Sequence, residues 1–413
     1  MGVVGSHIAG TRSLELKREK NKVLSKEKPL AKNQNARLLE AYEQIAASNP
    51  ATISAAELCR QLNEAAAAAA TVEAPAEESV QHFPAQPPDL PSFSDLSKVG
   101  LLGCGTYGHV ELVRDEPSGR TYALKTVSKG RIVKQKSQQH VRNERLVLSI
   151  VRSPFIMSFH GSYNTEKHIH YLLEPLLGGE LMSTYERGVI PYGSEVHARY
   201  YIASVALALE HLHSINVICR GVMTEECVLD PQGHLKLCDL GIAKVIVGKT
   251  FTTSGAPEYA APEILEDFAG VSFPADWWAL GVMLFDLMAG ERPFQASTVM
   301  NVMKKVQKGI DRVHFPKAVL PAKHLIRALM RQEPKERLPA KAGGVANLKG
   351  HMWFEGFSWA SLEGQTMQPP YRPVVQGLED LSNFDATADE IPEDEPYADE
   401  DFRWDGLVGQ QAA

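Results

Sequence analysis

Cysteine is scarce in this chain: five residues in 413, namely Cys59, Cys104, Cys219, Cys227 and Cys238, scattered and odd in number. Such a set excludes a disulfide framework, and no pair stands at metal-ligand spacing, so a reducing, cytoplasmic setting is expected. No apolar run approaches the roughly 18 residues of a membrane-spanning helix, and the first residues lack the apolar core of a secretory signal. No internal repeat is visible. The net charge of −7 provides no general basic surface, and no nucleic-acid partner is expected. What is present is 44% apolar and 23% charged residues, an ordinary globular composition on a chain long enough for one large domain with flanking segments.

Charge is unevenly distributed. Residues 1–37 carry nine Lys and Arg against three acids, whereas Glu379 to Asp405 carries twelve acids against the single Arg403. The opening Met1-Gly2-Val3-Val4-Gly5-Ser6 fits M-G-x-x-x-[ST], which marks Gly2 for myristoylation. One acyl chain plus basic residues worth about 1 kcal/mol each near an anionic surface would suffice for attachment at the cytoplasmic face of a membrane. A chance pattern next to a solvated Lys-rich face is the competing reading. From Ser54 to Ala70 the chain is rich in helix formers, with Leu58, Leu62 and an alanine tract, so residues 1–70 read as a basic, helical extension. Pro75, Pro84, Pro87, Pro88 and Pro91 then interrupt any regular structure, and residues 71–92 read as a linker.

Beyond the linker, Val110, Leu112, Tyr122 and Leu124 alternate with polar neighbours around Pro117-Ser118-Gly119, the pattern of an antiparallel hairpin. Later the period becomes helical, as in Leu325, Ile326, Leu329 and Met330, and Trp277-Trp278 open a strongly apolar stretch. A strand-rich first third and a helix-rich remainder predict an α+β protein in two lobes, with the folded domain over 93–354 and an acidic C-terminal extension over 355–413. The acidic tail is expected to be extended rather than folded.

Five short signals then appear in one order. Gly103-Cys104-Gly105-Thr106-Tyr107-Gly108-His109-Val110 matches G-x-G-x-x-G-x-V, where absent side chains let backbone N–H groups approach phosphates. Dinucleotide-binding folds use a similar string, but there it opens a helix; here Ala123-Leu124-Lys125 follows on a strand. Glu144, Asp239-Leu240-Gly241 and Ala261-Pro262-Glu263 complete the series. Singly these are weak, and jointly they are specific.

From about Asp95 to Phe384 the chain resembles the protein kinases, most closely the cyclic-nucleotide-dependent members of the AGC group. Ser254-Gly255-Ala256-Pro257-Glu258-Tyr259, Gly309-Ile310-Asp311, His351-Met352-Trp353-Phe354-Glu355-Gly356-Phe357 and Ser382-Asn383-Phe384-Asp385 carry the likeness, and the tail with Trp404-Asp405 is most similar to that of cGMP-dependent kinases. The resemblance implies the bilobal kinase fold, with a tail that wraps the small lobe and brings Phe384 toward the adenine pocket. It implies an ATP site of Gly103, Cys104, Gly105, Gly108, Lys125, Glu144, Glu174 and Asp239, with Val110, Ala123 and Val228 around the adenine. Mg²⁺ would sit on Asp239 and Glu226. Thr252 takes the activation-loop phosphorylation position, with His140, Arg220 and Lys244 as its basic clamp. Glu180, Glu225 and Asp286 correspond to acids that grip basic substrates, which implies a protein partner or basic peptide.

The departures from the family pattern lie in the catalytic loop, Ile218-Cys219-Arg220-Gly221-Val222-Met223-Thr224-Glu225-Glu226. Where kinases carry a catalytic Asp, a Lys and an Asn, this chain has Gly221, Met223 and Glu226. Ala256 also replaces the Thr that would bond the first two. Glycine offers no proton acceptor and methionine no positive charge, so the expectation is a nucleotide-binding pseudokinase with a regulatory or scaffolding role. The alternative is a working Ser/Thr kinase that uses Glu225 or Glu226 as a substitute base, or relies on positioning and metal electrostatics.

Overall fold

The computed structural model describes residues 37–45, 55–71, 90–246, 248–250, 255–265, 270–397 and 404. Gly2, the basic stretch of residues 1–36, most of the linker and Thr252 lie outside the described residues. Two helices come first, α1 over 37–45 and α2 over Ala55–Thr71. The small lobe is an antiparallel sheet of β1 (Leu96–Gly105), β2 (Gly108–Asp115), β3 (Thr121–Ser128), β4 (Phe159–Asn164) and β5 (His168–Leu173), in the order β1-β2-β3-β5-β4. Helices α3 (Lys129–Lys134) and α4 (Gln138–Ile150) cross between β3 and β4.

The expected hairpin is present as β2 and β3, with Leu112 opposite Ala123 and Val113 opposite Tyr122. Gly119 supplies the positive φ, +69°, that its turn requires. Both faces of this sheet are covered, so alternation along the strands is incomplete. One face packs on α4; on the other, Val113, Tyr122, Leu124, Tyr163 and Leu172 form a second cluster roofed by Leu90 and Phe93. The Tyr163 hydroxyl donates to the Pro91 carbonyl at 2.8 Å. The last residues assigned to the linker therefore belong to the small lobe.

The large lobe continues with α5 (Leu181–Glu186), α6 (Glu195–Ser214), the short strands β6 (Val217–Ile218), β7 (Cys227–Leu229), β8 (Leu235–Leu237) and β9 (Lys244–Val245), and helices α7 (Pro262–Leu265), α8 (Pro274–Ala289), α9 (Val299–Lys308) and α10 (Lys323–Leu329). The apolar stretch opened by Trp277-Trp278 is α8, with 14 of its 16 residues buried, Asp276 and Asp286 among them. A helix with no solvent-facing polar stripe fits only at the centre of a core, and α8 packs against both α6 and α10. Gly290 ends it in the left-handed region at φ 76°. Among the described residues no helix is long and apolar enough to cross a membrane.

The N-terminal helices dock on this body. Leu38, Tyr42, Leu58 and Leu62 join the main core. The Tyr42 hydroxyl donates to the Ile215 carbonyl at 3.0 Å, the Asn216 amide donates to that hydroxyl and to Asn63, and Glu43 holds Arg142 of α4 through two bonds of 2.6 and 2.8 Å.

The acidic tail departs from what its composition suggests, an extended rather than folded segment, and lies where the family resemblance implies, against the small lobe. Its backbone is largely irregular, but through residue 397 and at Trp404 it lies on the small lobe. Arg131 donates to the Glu393 carbonyl, Lys134 pairs with Glu395 at 2.6 Å and His168 meets Asp394 at 2.9 Å. Lys129 lies about equally over the rings of Tyr397 and Trp404, and Trp404 is buried. Composition reads such a run as solvated; basic side chains of α3 and an aromatic anchor hold it down instead.

Packing also sets an acid limit. His211 of α6 accepts the backbone N–H of Arg152 on Nε2 at 3.1 Å, which requires that nitrogen to be unprotonated. Burial, reinforced by the charge of Arg152, pushes its pKa down to about 4. Because the folded value lies below the ordinary ~6.5, the contribution is complete above pH ~6.5 and is lost as pH falls toward 4. At pH 5 the loss is about 2 kcal/mol. Denaturant midpoints at pH 7.5 and 5.0 check this: His211→Gln, which keeps an acceptor, loses less stability between the two pH values than wild type. Equal losses would remove His211 as the cause.

Candidate active site

The Gly-rich hairpin folds as expected between β1 and β2. A Cβ on Gly108 would lie 1.9 Å from the Thr126 carbonyl oxygen, so strand packing itself demands glycine there. Gly103 and Gly105 have no such neighbour within 4 Å; the room their missing side chains leave is on the open side, where a phosphate group would approach. Cys104 between them is exposed. Beneath, Val110 is partly buried and paired in register with Lys125, Ala123 is buried in β3, and Val228 of β7 bridges to Glu180.

Lys125 Nζ lies 2.5 Å from Glu144 Oε1 and 3.7 Å from Asp239 Oδ1. Burial works against its charge, but the two carboxylates outweigh it and hold the ammonium pKa above the usual lysine value. Asp239 is itself oriented by the Gly241 N–H, which donates to Oδ1 at 2.8 Å. Sequence reasoning brought these three residues together, and the structure does as well. Glu174 is engaged differently: it pairs with Lys236 at 2.8 Å and accepts the Ser158 N–H at 3.1 Å, bracing the segment that joins the lobes. Just before Phe384 the tail docks on the body. Leu381 packs where a side chain on Gly100 would go, and the Asn383 amide donates to the Leu177 carbonyl at 3.0 Å.

The stem of the catalytic loop is intact. Buried Asp276 of α8 accepts the N–H groups of Cys219 and Arg220 at 2.9 and 2.8 Å and meets His213 at 2.8 Å. Sequence reasoning missed Asp276, because its partners lie more than fifty residues away along the chain. At the tip, a Cβ on Gly221 would find the Asp239 carbonyl oxygen and Ile242 at 3.5 Å, ordinary contact distances, and its φ is outside the left-handed region. The backbone therefore does not require glycine. Met223 is partly buried against the core. Burial, then the charge of Asp239, push the Glu226 carboxyl up to about 8.

Of the clamp residues, Arg220 donates through Nε to the Ile242 carbonyl at 2.8 Å, and Lys244 donates to the Thr250 hydroxyl at 3.1 Å. Pairing of β6 with β9 sets Lys244 opposite Ile218, while His140 lies on α4. Ala256 packs against the core. Of the three expected substrate-binding acids, Glu225 and Asp286 come together, but around Arg292, which sequence reasoning did not single out. Glu180 stands at the start of α5, with the Ser183 hydroxyl 3.5 Å away.

Residues 96–354 match the protein kinase domain. This chain belongs to the protein kinase family. Over 320 residues, 76% of its length, it is 37% identical to a cGMP-dependent protein kinase, isozyme 2, of Drosophila melanogaster, of which it spans 34%. It is 36% identical over 332 residues to human cGMP-dependent protein kinase 2, covering 79% of this chain and 42% of that protein. The cAMP-dependent protein kinase catalytic subunit of Dictyostelium discoideum is 34% identical over 303 residues, 73% of this chain and 46% of that one. The kinase chain thus spans about a third to a half of the length of these relatives. Its five-stranded small lobe and helical large lobe are those the sequence resemblance implies.

Proposed function

We propose that this kinase binds ATP with Mg²⁺ beneath the Gly103–Gly108 hairpin, transfers phosphate poorly or not at all, and acts as a regulatory or scaffolding module. The observation that carries the reading is the contrast within one cleft. The Lys125–Glu144–Asp239 set is assembled with charge-pair distances of 2.5 and 3.7 Å, whereas the environment of position 221, where the family has its base, is a backbone carbonyl and an isoleucine. Lys125 and the hairpin N–H groups would hold the phosphates, and Asp239 with Glu226 would hold the metal, which when bound neutralises phosphate charge. A general base ordinarily contributes ~10²–10⁴-fold to rate, and glycine contributes none.

Thermal unfolding of the full chain with and without ATP and Mg²⁺, run beside a radiolabelled transfer assay on an arginine-containing serine peptide, tests this. At nucleotide about 100-fold above its dissociation constant, stabilisation of about 2.7 kcal/mol is expected, absent in Lys125→Met, with no transfer above that variant's background. Steady transfer that Lys125→Met abolishes identifies a working kinase instead. No nucleotide-dependent stabilisation identifies a scaffold that holds no ATP.

A further inference from the structure

Asp286 is almost fully buried near the end of α8, its side chain 2% exposed, and a buried carboxylate without a cation is expensive. Its cation comes from its own chain. Gly290 turns the backbone through the left-handed region directly after the helix and lays Arg292 back beside the last turn, with Nε 3.7 Å from Asp286 Oδ2. The same guanidinium contacts Glu225 Oε1 through Nη2 and lies over the Tyr259 ring, 5.0 Å from its centroid. Tyr259 in turn donates to Asp286 at 3.2 Å, and Thr224 donates to Glu225 at 3.0 Å. Every element of a guanidinium receptor is present: two carboxylates, an aromatic face, and hydroxyls that fix the acceptors.

We propose that Arg292 is a specificity-determining residue that fills this receptor in cis, as an internal substitute for a guanidinium carried by a bound peptide. The proposal rests on the reading that the cleft takes basic peptides, and it changes what that reading implies. With Arg292 in place the two acids and one cation leave a single net negative charge, and the volume between them is occupied. A second arginine on a peptide must displace Arg292 or go unpaired, which is discrimination by exclusion. Glu180, at the start of α5, is left as the acid that a single basic side chain can reach.

Two fluorescein-labelled peptides, identical except for one or two arginines, are titrated into the full-length wild type, Arg292→Ala, and Arg292→Gln, which keeps most of the side-chain stem. In parallel, thermal unfolding is recorded with millimolar N-acetyl-arginine amide. Wild type is expected to bind the two peptides within about threefold of each other, whereas both variants favour the two-arginine peptide by tenfold or more. Adding Glu225→Gln to Arg292→Ala removes that preference. Wild type that already prefers two arginines by tenfold, or folded variants that gain no preference, overturn the proposal. If no protein binds either peptide but N-acetyl-arginine amide stabilises Arg292→Ala and not wild type, the receptor stands and peptide binding by the cleft fails. No peptide binding and no stabilisation overturn both.

Discussion

The combined variant Gly221→Asp, Met223→Lys, Glu226→Asn is expected to transfer phosphate to an arginine-containing serine peptide at least ~100-fold faster than wild type, the low end of what a positioned base contributes. The expectation depends on space and support. A side chain at position 221 begins in ordinary contact with Asp239 and Ile242, and the loop that would carry it is held by Asp276 through two backbone N–H groups. Lysine at position 223 can run its methylenes along the apolar surface that Met223 now covers and keep its ammonium toward the cleft. Asparagine at position 226 removes a carboxyl whose proton affinity burial and Asp239 raise. The three residues act together, so single replacements are not expected to multiply into the combined gain. Initial rates with radiolabelled ATP decide the matter. A gain below threefold in a folded variant that still binds nucleotide would mean either that wild type already has a working base or that the loss lies elsewhere, with Ala256 the next position to restore.

Replacing Arg337 by alanine is expected to destabilise the large lobe by about 3–5 kcal/mol, the range for breaking a buried ion pair by removing one partner. Arg337 is completely buried and Glu263 nearly so. Two parallel bonds of 2.6 Å join them, and Arg337 also donates to the carbonyls of Pro274 and Arg331 at 2.8 and 3.0 Å while lying over Trp278. Alanine leaves a buried carboxylate, two freed carbonyls and a cavity next to α8. A drop of roughly 5–10 °C in Tm follows for a domain of this size. The double variant Arg337→Met, Glu263→Leu is expected to recover most of that loss, because the uncompensated charge is the main cost. Differential scanning calorimetry of the three proteins checks both statements; a single-variant loss under 1 kcal/mol would show that the pair is not a principal support of the lobe.

These predictions differ in how far the sequence reaches toward them. The Gly-rich hairpin, its turn at Gly119, α2 with Leu58 and Leu62, and the apolar helix of Trp277-Trp278 are local, because each is encoded in the periodicity or turn chemistry of its own residues. Lys125, Glu144 and Asp239 were legible because they stand in a recognisable order, even though their meeting is not local. Arg292, Asp276 and Arg337 carried no such signal. Each has a partner dozens of residues away, Arg337 across 74 and Arg292 across 67, although Arg292 also meets the nearby Asp286, and an isolated Arg or Asp in a sequence reads as a solvated side chain. The composition of the tail misled for the same reason, though the family resemblance did not: twelve acids suggest repulsion until α3 supplies the opposing charges.

The sequence by itself determined the family, the two-lobed plan and which residues stand at positions 221, 223 and 226, since a motif is an ordered string and each residue is visible in the string. Only the tertiary structure decided that position 221 has room for a side chain, that α1 and α2 pack into the main core, and that the chain's own arginine sits between Glu225 and Asp286. Those facts are distances between residues far apart in the chain, and distance becomes definite only once apolar burial has brought the helices and strands together.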